Sequence, residues 1–456
     1  MSVAVWCRGS YGWMVCPSTP EEELPDDLQA EILRACLDRG ANRWAVGFDH
    51  RSGARSWAER LATELATRGH NVVLATQACP LAGPALAIQL GTAEAALVVT
   101  GLSEPVDCTG IVVIPVSKSP RLPQRVGAAH AQDAAADRVS RRDFRSDLLN
   151  FYRGLARTRE LRSAQLQVLI DANGGVGDRL LEEVLRDNVA RVATIYGLPL
   201  PTFYNRPVLP QGSDLFELSL QVGRGKWHLG IALSGGGEAL AVVDEKGTPV
   251  DPGDLQLLLL ESALRQRAQT TVLVSEGVTR RAERLARQER VTLRRVTAGM
   301  WGVSAAVATE GSDGRIGLGE LGQLLTGKVS VPDGIFSALV LLQGLARKRV
   351  PLSEWVEDVR RRLGRSRLVW RLMPHDEASG RRLTNFDVLE VPGFGRLEKV
   401  LQVELGDTQI EAKWTADKGD VWIWILGSAG RLRVFAEAPE AGAAEALLGR
   451  VESLLQ

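Results

Sequence analysis

Thr100-Gly101-Leu102-Ser103-Glu104-Pro105 follows directly on the apolar run Leu97-Val98-Val99. A buried strand that opens into a tight loop is where an α/β enzyme places a nucleophile. Ser103 supplies a hydroxyl there, whereas Leu102 has no lone pair with which to attack or carry a group. The plainer role for a loop serine is local hydrogen bonding. A second loop, Asn173-Gly174-Gly175-Val176-Gly177, follows one expected strand and opens a helix, so its backbone N–H groups could cradle an anion. A structural turn fits the same residues. The histidines, His50, His70, His130, His228 and His375, are dispersed and lack metal-ligand spacing. Trp422 and Trp424 stand two apart on an expected strand and so share one face, where they either fill a core or dock a partner. The basic run Arg360 to Arg367 suits a solvated face, with an acidic partner as the alternative.

The elements that position these residues alternate in type. Trp44–Phe48, Asn71–Ala75 and Ala95–Thr100 read as strands, and Ser56–Gly69 and Pro84–Leu90 as helices; Trp57, Leu61 and Leu65 recur every four residues. Leu166–Ile170 is the next expected strand, followed by a helix over Asp178–Tyr196. Thr271–Val274 then precedes a helix over Thr279–Gln288. Near the end, Phe386–Leu405, Thr408–Trp414, Val421–Ile425 and Arg431–Ala436 read as strands before a helix over Ala441–Leu455. The fold class is α/β: three similar α/β domains of mixed sheets, then a small α+β domain. The expected domains are 1–150, 151–257, 258–366 and 367–456.

At 456 residues the chain is too long for one ordinary core. Lys+Arg and Asp+Glu both number 55, giving a net charge of +0 and arguing against a dedicated nucleic-acid binder. Cys7, Cys16, Cys36, Cys79 and Cys108 form no C-x-x-C pair and read as free thiols in a reducing compartment. Neither a secretory signal nor a membrane-spanning run is visible, so the expected location is cytoplasmic.

The loop Thr100–Pro105 resembles the T-A-S-H-N-P active-site loop of the α-D-phosphohexomutases, the phosphoglucomutase/phosphomannomutase family, with Leu102 in the place of the phosphate-carrying serine. Other motifs of that family line up along almost the whole chain. F-G-T-D-G-I-R-G resembles Arg8–Val15, with Met14 for the arginine. G-R-D-T-R resembles Gly47-Phe48-Asp49-His50-Arg51, where Asp49 and Arg51 are expected to form a structural ion pair. Y-N-G-x-K resembles Cys108–Val112, with Val112 for the lysine. The metal loop D-G-D-A-D-R resembles Ser234–Ala239; its aspartates are Ser234, Gly236 and Glu238. The sugar loop G-E-E-S-G-H resembles Leu318–Gln323, with Gly319 for the first glutamate, Leu321 for the serine and Gln323 for the histidine. The phosphate loop R-P-S-G-T-E-P resembles Trp424–Gly430, with Trp424 for the arginine and Gly427 unchanged.

The resemblance implies the four-domain, heart-shaped arrangement of the family and a reaction that moves a phosphoryl group between an enzyme serine and a sugar phosphate. That reaction needs a nucleophile, a metal ion and cationic clamps. Here Leu102 and Ser103 mark a vestigial catalytic loop. Ser234, Gly236 and Glu238 mark a vestigial metal loop, and Gly319, Leu321, Trp424 and Gly427 vestigial substrate positions. The Mg²⁺ expected of the family lacks its ligands, so no cofactor is expected. The reading is a catalytically inactive scaffold or regulator with a protein partner, such as an active mutase or an envelope or sugar-metabolism protein. A homodimer through the first domain is also implied. The alternatives are an enzyme with altered chemistry using Ser103, Glu104, Glu238 and Glu320, and a non-catalytic sugar-phosphate sensor.

Overall fold

In the first sheet, β1 (Ser2–Val5), β2 (Trp13–Cys16), β3 (Arg43–Phe48), β4 (Asn71–Ala75), β5 (Ala95–Val99), β6 (Thr109–Ile114) and β7 (Val139–Arg142) lie in the order β1-β2-β6-β5-β3-β4-β7. The second holds β8 (Gln167–Asp171), β9 (Arg191–Ile195), β10 (Leu229–Leu233) and β11 (Leu240–Asp244) in the order β11-β10-β8-β9. The third holds β12 (Thr271–Ser275), β13 (Thr292–Val296), β14 (Arg315–Leu318) and β15 (Leu324–Thr326) in the order β13-β12-β14-β15. Each of these sheets contains the same unit: three parallel strands with the first in the middle, closed by one antiparallel strand. The fourth sheet is antiparallel throughout. It runs β16-β21-β20-β19-β18-β17, from β16 (Arg367–Pro374), β17 (Val388–Val391), β18 (Gly395–Glu404), β19 (Gln409–Thr415), β20 (Trp422–Ser428) and β21 (Arg431–Ala438). The helix Ala441–Leu455 packs on it. The computed structural model describes residues 2–5, 13–16, 26–37, 40–114, 136–264, 271–309, 314–374, 383–391, 395–404, 409–416, 420–428 and 431–455.

The expected alternation of strands and helices is present, with two corrections. Asp178–Tyr196 is not one helix. A short helix, Leu180–Leu185, gives way to β9, which pairs in parallel with β8. The alternation in Arg191-Val192-Ala193-Thr194-Ile195 puts branched side chains on a half-buried pleated edge, where they pack better than on a helix. Phe386–Leu405 is likewise two strands: Val391 pairs with Gly395, whose φ of 77° suits the reversal. Residues 150 and 257 lie inside the helices Phe144–Ala156 and Pro252–Leu264, so the boundaries expected there fall within helices and not in connecting loops.

One apolar core runs from Ile32 to Leu363 and joins the first three sheets, while the fourth sheet has its own. The helix Gly334–Lys348 is buried on nearly all sides and packs against Pro252–Leu264. Its N-cap, Asp333, accepts from Phe336 N at 2.9 Å, and Tyr152 Oη donates to its other oxygen at 2.5 Å. Burial raises the Asp333 carboxyl to about 6. A folded-state value above the unfolded one means that the group's stabilising share is complete below about pH 4 and is lost as pH rises through 6. Asp333→Asn keeps the cap without the charge. Relative to the native chain it should therefore gain stability with rising pH, by about 3 kcal/mol between pH 4 and pH 8, read from urea midpoints.

Candidate functional site

Arg51 builds the loop that follows β5. Its Nε donates to Asp49 Oδ2 at 3.2 Å. Nη1 donates to the carbonyls of Pro105 and of Cys108, the latter at 2.6 Å, and Nη2 to those of Leu102 and Glu104 at 2.9 and 2.7 Å. All five guanidinium donors are used inside the protein. Asp49 also accepts from Thr100 Oγ1 at 2.8 Å, and Thr100 Oγ1 accepts from Leu102 N at 3.0 Å. The expected ion pair thus exists, and both partners are buried. Leu102, with φ at 51°, is buried in the apolar core.

The loop after β10 lies directly against this one. Ser103 Oγ donates to Glu238 Oε1, and Ser234 Oγ donates to Glu238 Oε2 at 2.7 Å. The Ser234 oxygen in turn accepts from Glu238 N and Ala239 N, both at 3.1 Å. Burial raises the pKa of Glu238. A β-carbon at Gly236 would come within 2.6 Å of Glu238 Oε2 and 2.9 Å of Leu102 Cα, so no side chain fits there. The turn Asn173–Gly177 supports this loop from behind: Val176 N donates to Gly235 O at 2.9 Å, and Asp171 is held bidentately by Arg206. Its role is structural.

The third and fourth sheets close the space from the other side. Gln323 Oε1 accepts from Leu321 N at 3.0 Å and lies 2.3 Å from where a β-carbon of residue 319 would sit. Leu321 joins Leu209, Ala239, Leu368, Trp422, Trp424 and Phe435 in one buried apolar cluster, where loop residues of the second and third units meet strands of the fourth sheet. The Trp424 ring is seated over Gly277, and its Nε1 donates to Glu411 Oε1 at 2.9 Å. Glu411 also accepts from Ala298 N, and burial raises its carboxyl to about 7. Trp422 Nε1 donates to Glu437 at 2.6 Å. The strand β20 runs through Gly427 to Ser428, which pairs with Arg431. Trp424 stands on a strand, as its spacing from Trp422 predicts, and Gly427, which the motif resemblance places in a loop, is a strand residue too, because the ladder to β19 and β21 continues past it; residues 429 and 430 lie outside the described residues. Arg433 Nη2 reaches across to Glu104 Oε1 at 2.7 Å, tying the fourth sheet to the first loop. Between the loops remains a cavity of about 20 Å³ lined by Ser103, Glu104, Glu238, Glu320 and Arg433, space on the scale of a water molecule. Glu320 is buried there with Oε2 unbonded among the described residues, and burial raises its pKa.

A structure from Thermus thermophilus assigned as a phosphomannomutase matches this fold with a TM-score of 0.75 at 19% identity, over 100% of this chain and 99% of that one. A phosphoglucomutase/phosphomannomutase family protein from Burkholderia thailandensis matches at 0.70 and 18%, over 98% and 96%. In sequence, a phosphoglucosamine mutase from Cronobacter sakazakii is 26% identical over 368 residues, 76% of this chain and 78% of that one. One from Escherichia coli O81 is 25% identical over the same shares. The chain shares the fold of the phosphomannomutase and phosphoglucomutase structures and is similar in sequence to phosphoglucosamine mutases. No protein-family model matches it.

Within this phosphohexomutase fold the four motif loops do converge. Leu102, Ser103, Ser234, Gly236, Glu238, Gly319 and Leu321 meet around one junction, with Trp424 alongside in the adjoining apolar cluster. Among the described residues no group of three or more His, Cys, Asp or Glu is placed to hold a metal ion. His130, His375 and residues 8–12 lie outside the described residues, while His228 Nδ1 accepts from Gln167 N at 3.0 Å. Cys36, Cys79 and Cys108 are buried and form no disulfide among the described residues. The basic run is spent on intrachain pairs, Arg360 with Asp254 and Arg362 with Glu261 among them. No helix of the described residues is long and apolar enough to cross a membrane. Sequence reasoning missed Arg433 and Met300 as site residues. Arg433 alternates with Leu432 and Val434 on a strand, and a charge on that face was the available signal.

Proposed function

We propose that this chain is a phosphohexomutase-family member that does not transfer phosphoryl groups and acts through protein contacts, as a scaffold or regulatory partner. The supporting observation is a cleft filled from within. The Leu321–Trp424 cluster occupies one side, and Ser103 pairs with Glu238 and Glu104 with Arg433, which leaves Glu320 Oε2 as an open polar atom beside them. The donor set does not fit magnesium, which requires several open oxygen ligands. Here Glu238 spends both oxygens on serines and position 236 has no room for a carboxylate. A cytoplasmic location, a protein partner and self-association through the first domain complete the reading.

The test is turnover. With the 1-phosphates of glucose and glucosamine, Mg²⁺ and a hexose bisphosphate, no 6-phosphate is expected above background. A rate of about 1 s⁻¹ or more would place the chain among ordinary enzymes and overturn the reading. Restoring Leu102→Ser, alone or with Gly236→Asp, should not recover turnover, because the second substitution meets Glu238 and Leu102 before it meets a metal.

A second reading draws on the Ser103–Glu238 contact, a hydroxyl beside a buried carboxyl of raised proton affinity, as in general-base activation. It requires a phosphoserine detectable by intact mass and product formation that Ser103→Ala abolishes. The sensor reading requires hexose phosphates to raise the melting temperature; the first reading expects no shift.

A further inference from the structure

Away from the cleft, the helices Phe144–Ala156 and Gly334–Lys348 and the β14–β15 hairpin enclose a cavity of about 140 Å³. Its walls include Phe151, Leu155, Leu324 and Phe336. Dry apolar cavities of this size accept a benzene-sized guest. Three polar residues break the apolar lining, and one of them, Gln343, donates its Nε2 to Leu155 O at 2.8 Å. Thr326 is buried, and Lys328 stands exposed two residues on, held by a turn in which Thr326 N donates to Val329 O at 2.8 Å and Val329 N to Thr326 O at 2.9 Å. Neither the Thr326 hydroxyl nor the Lys328 ammonium has a hydrogen-bond or ion-pair partner among the described residues. The Thr326 hydroxyl is not a sealed, unsatisfied polar atom and so is open to a guest, and an ammonium at the edge of an apolar hole is an anion's counterpart.

We propose that this cavity binds a compact apolar monocarboxylate, of benzoate or hexanoate size, with its body between Phe151, Leu155 and Phe336 and its carboxylate on Thr326 and Lys328. The apolar volume sets the size of the guest, and the two open donors set its charge. The site is independent of the cleft and of whether the chain catalyses anything.

Calorimetric titration of the full chain with benzoate, hexanoate, benzyl alcohol and benzylamine tests it. Benzoate or hexanoate should bind saturably with Kd of about 1 mM or tighter. Lys328→Ala should weaken carboxylate binding about tenfold while leaving benzyl alcohol unchanged. Lys328 is exposed, so this variant keeps the fold. Leu155→Trp, which fills the hole from a half-buried wall, should abolish binding of every probe. The absence of saturable carboxylate binding overturns the proposal. So does benzyl alcohol or benzylamine binding as tightly as benzoate, or carboxylate binding indifferent to Lys328→Ala.

Discussion

Arg51→Met should destabilise the chain by at least about 4 kcal/mol, read as the shift in urea midpoint multiplied by the m-value. The substitution keeps the length of the side chain and removes its five donors. Asp49 is left as a buried carboxylate without its ion pair, and the carbonyls of Leu102, Glu104, Pro105 and Cys108 lose their partner. Breaking a buried pair from one side typically costs about 3–5 kcal/mol, and orphaned buried carbonyls add to that. The loop carrying Leu102 and Ser103 would lose its shape with it. A cost below about 0.5 kcal/mol, the range of an ordinary surface change, would mean that Arg51 does not organise this loop.

Trp424→Ala should cost about 3–5 kcal/mol, the usual range for emptying a buried aromatic site. The ring belongs to the same buried cluster as Leu321, Ala239 and Leu209, which come from loops of the second and third units, so its loss should loosen the seat of the fourth sheet as well as the cluster itself. Glu411 loses the indole donor at the same time and keeps only the Ala298 N–H. Trp424→Phe retains most of the apolar contact and should recover more than half of the loss. If Trp424→Ala costs less than about 1 kcal/mol, the tryptophan is not the plug that the cluster implies.

Much of this molecule is legible in its sequence because the signals are local. The uninterrupted apolar run before Thr100 marks β5, and Trp57, Leu61 and Leu65 mark the inward face of the helix Ala54–Thr67. Asp49 and Arg51, two apart, announce their own ion pair. The departures arise where tertiary contacts decide. Arg191–Ile195 is a strand because β8 is there to pair with it, and nothing within the segment excludes a helix. By motif position the span 424–428 resembles a phosphate-binding loop, yet the ladder between β19 and β21 runs straight through it. The tie between Glu104 and Arg433 joins residues 329 positions apart, beyond the reach of any spacing argument. Likewise, a triple glycine in the sequence does not disclose that position 236 is pressed against Leu102; only the folded loops do.

The replacement of phosphate and metal contacts by contacts within the chain is tested most directly by binding. Glucose 1,6-bisphosphate with Mg²⁺ is titrated into the full chain by calorimetry, and a crystal is soaked in the same mixture. The account expects no saturable heat and an unchanged junction, with Ser103 still on Glu238, Glu104 on Arg433 and Trp424 against Leu321. A bisphosphate seated between the four loops, with a magnesium ion coordinated by the Ser234–Glu238 loop, would contradict it.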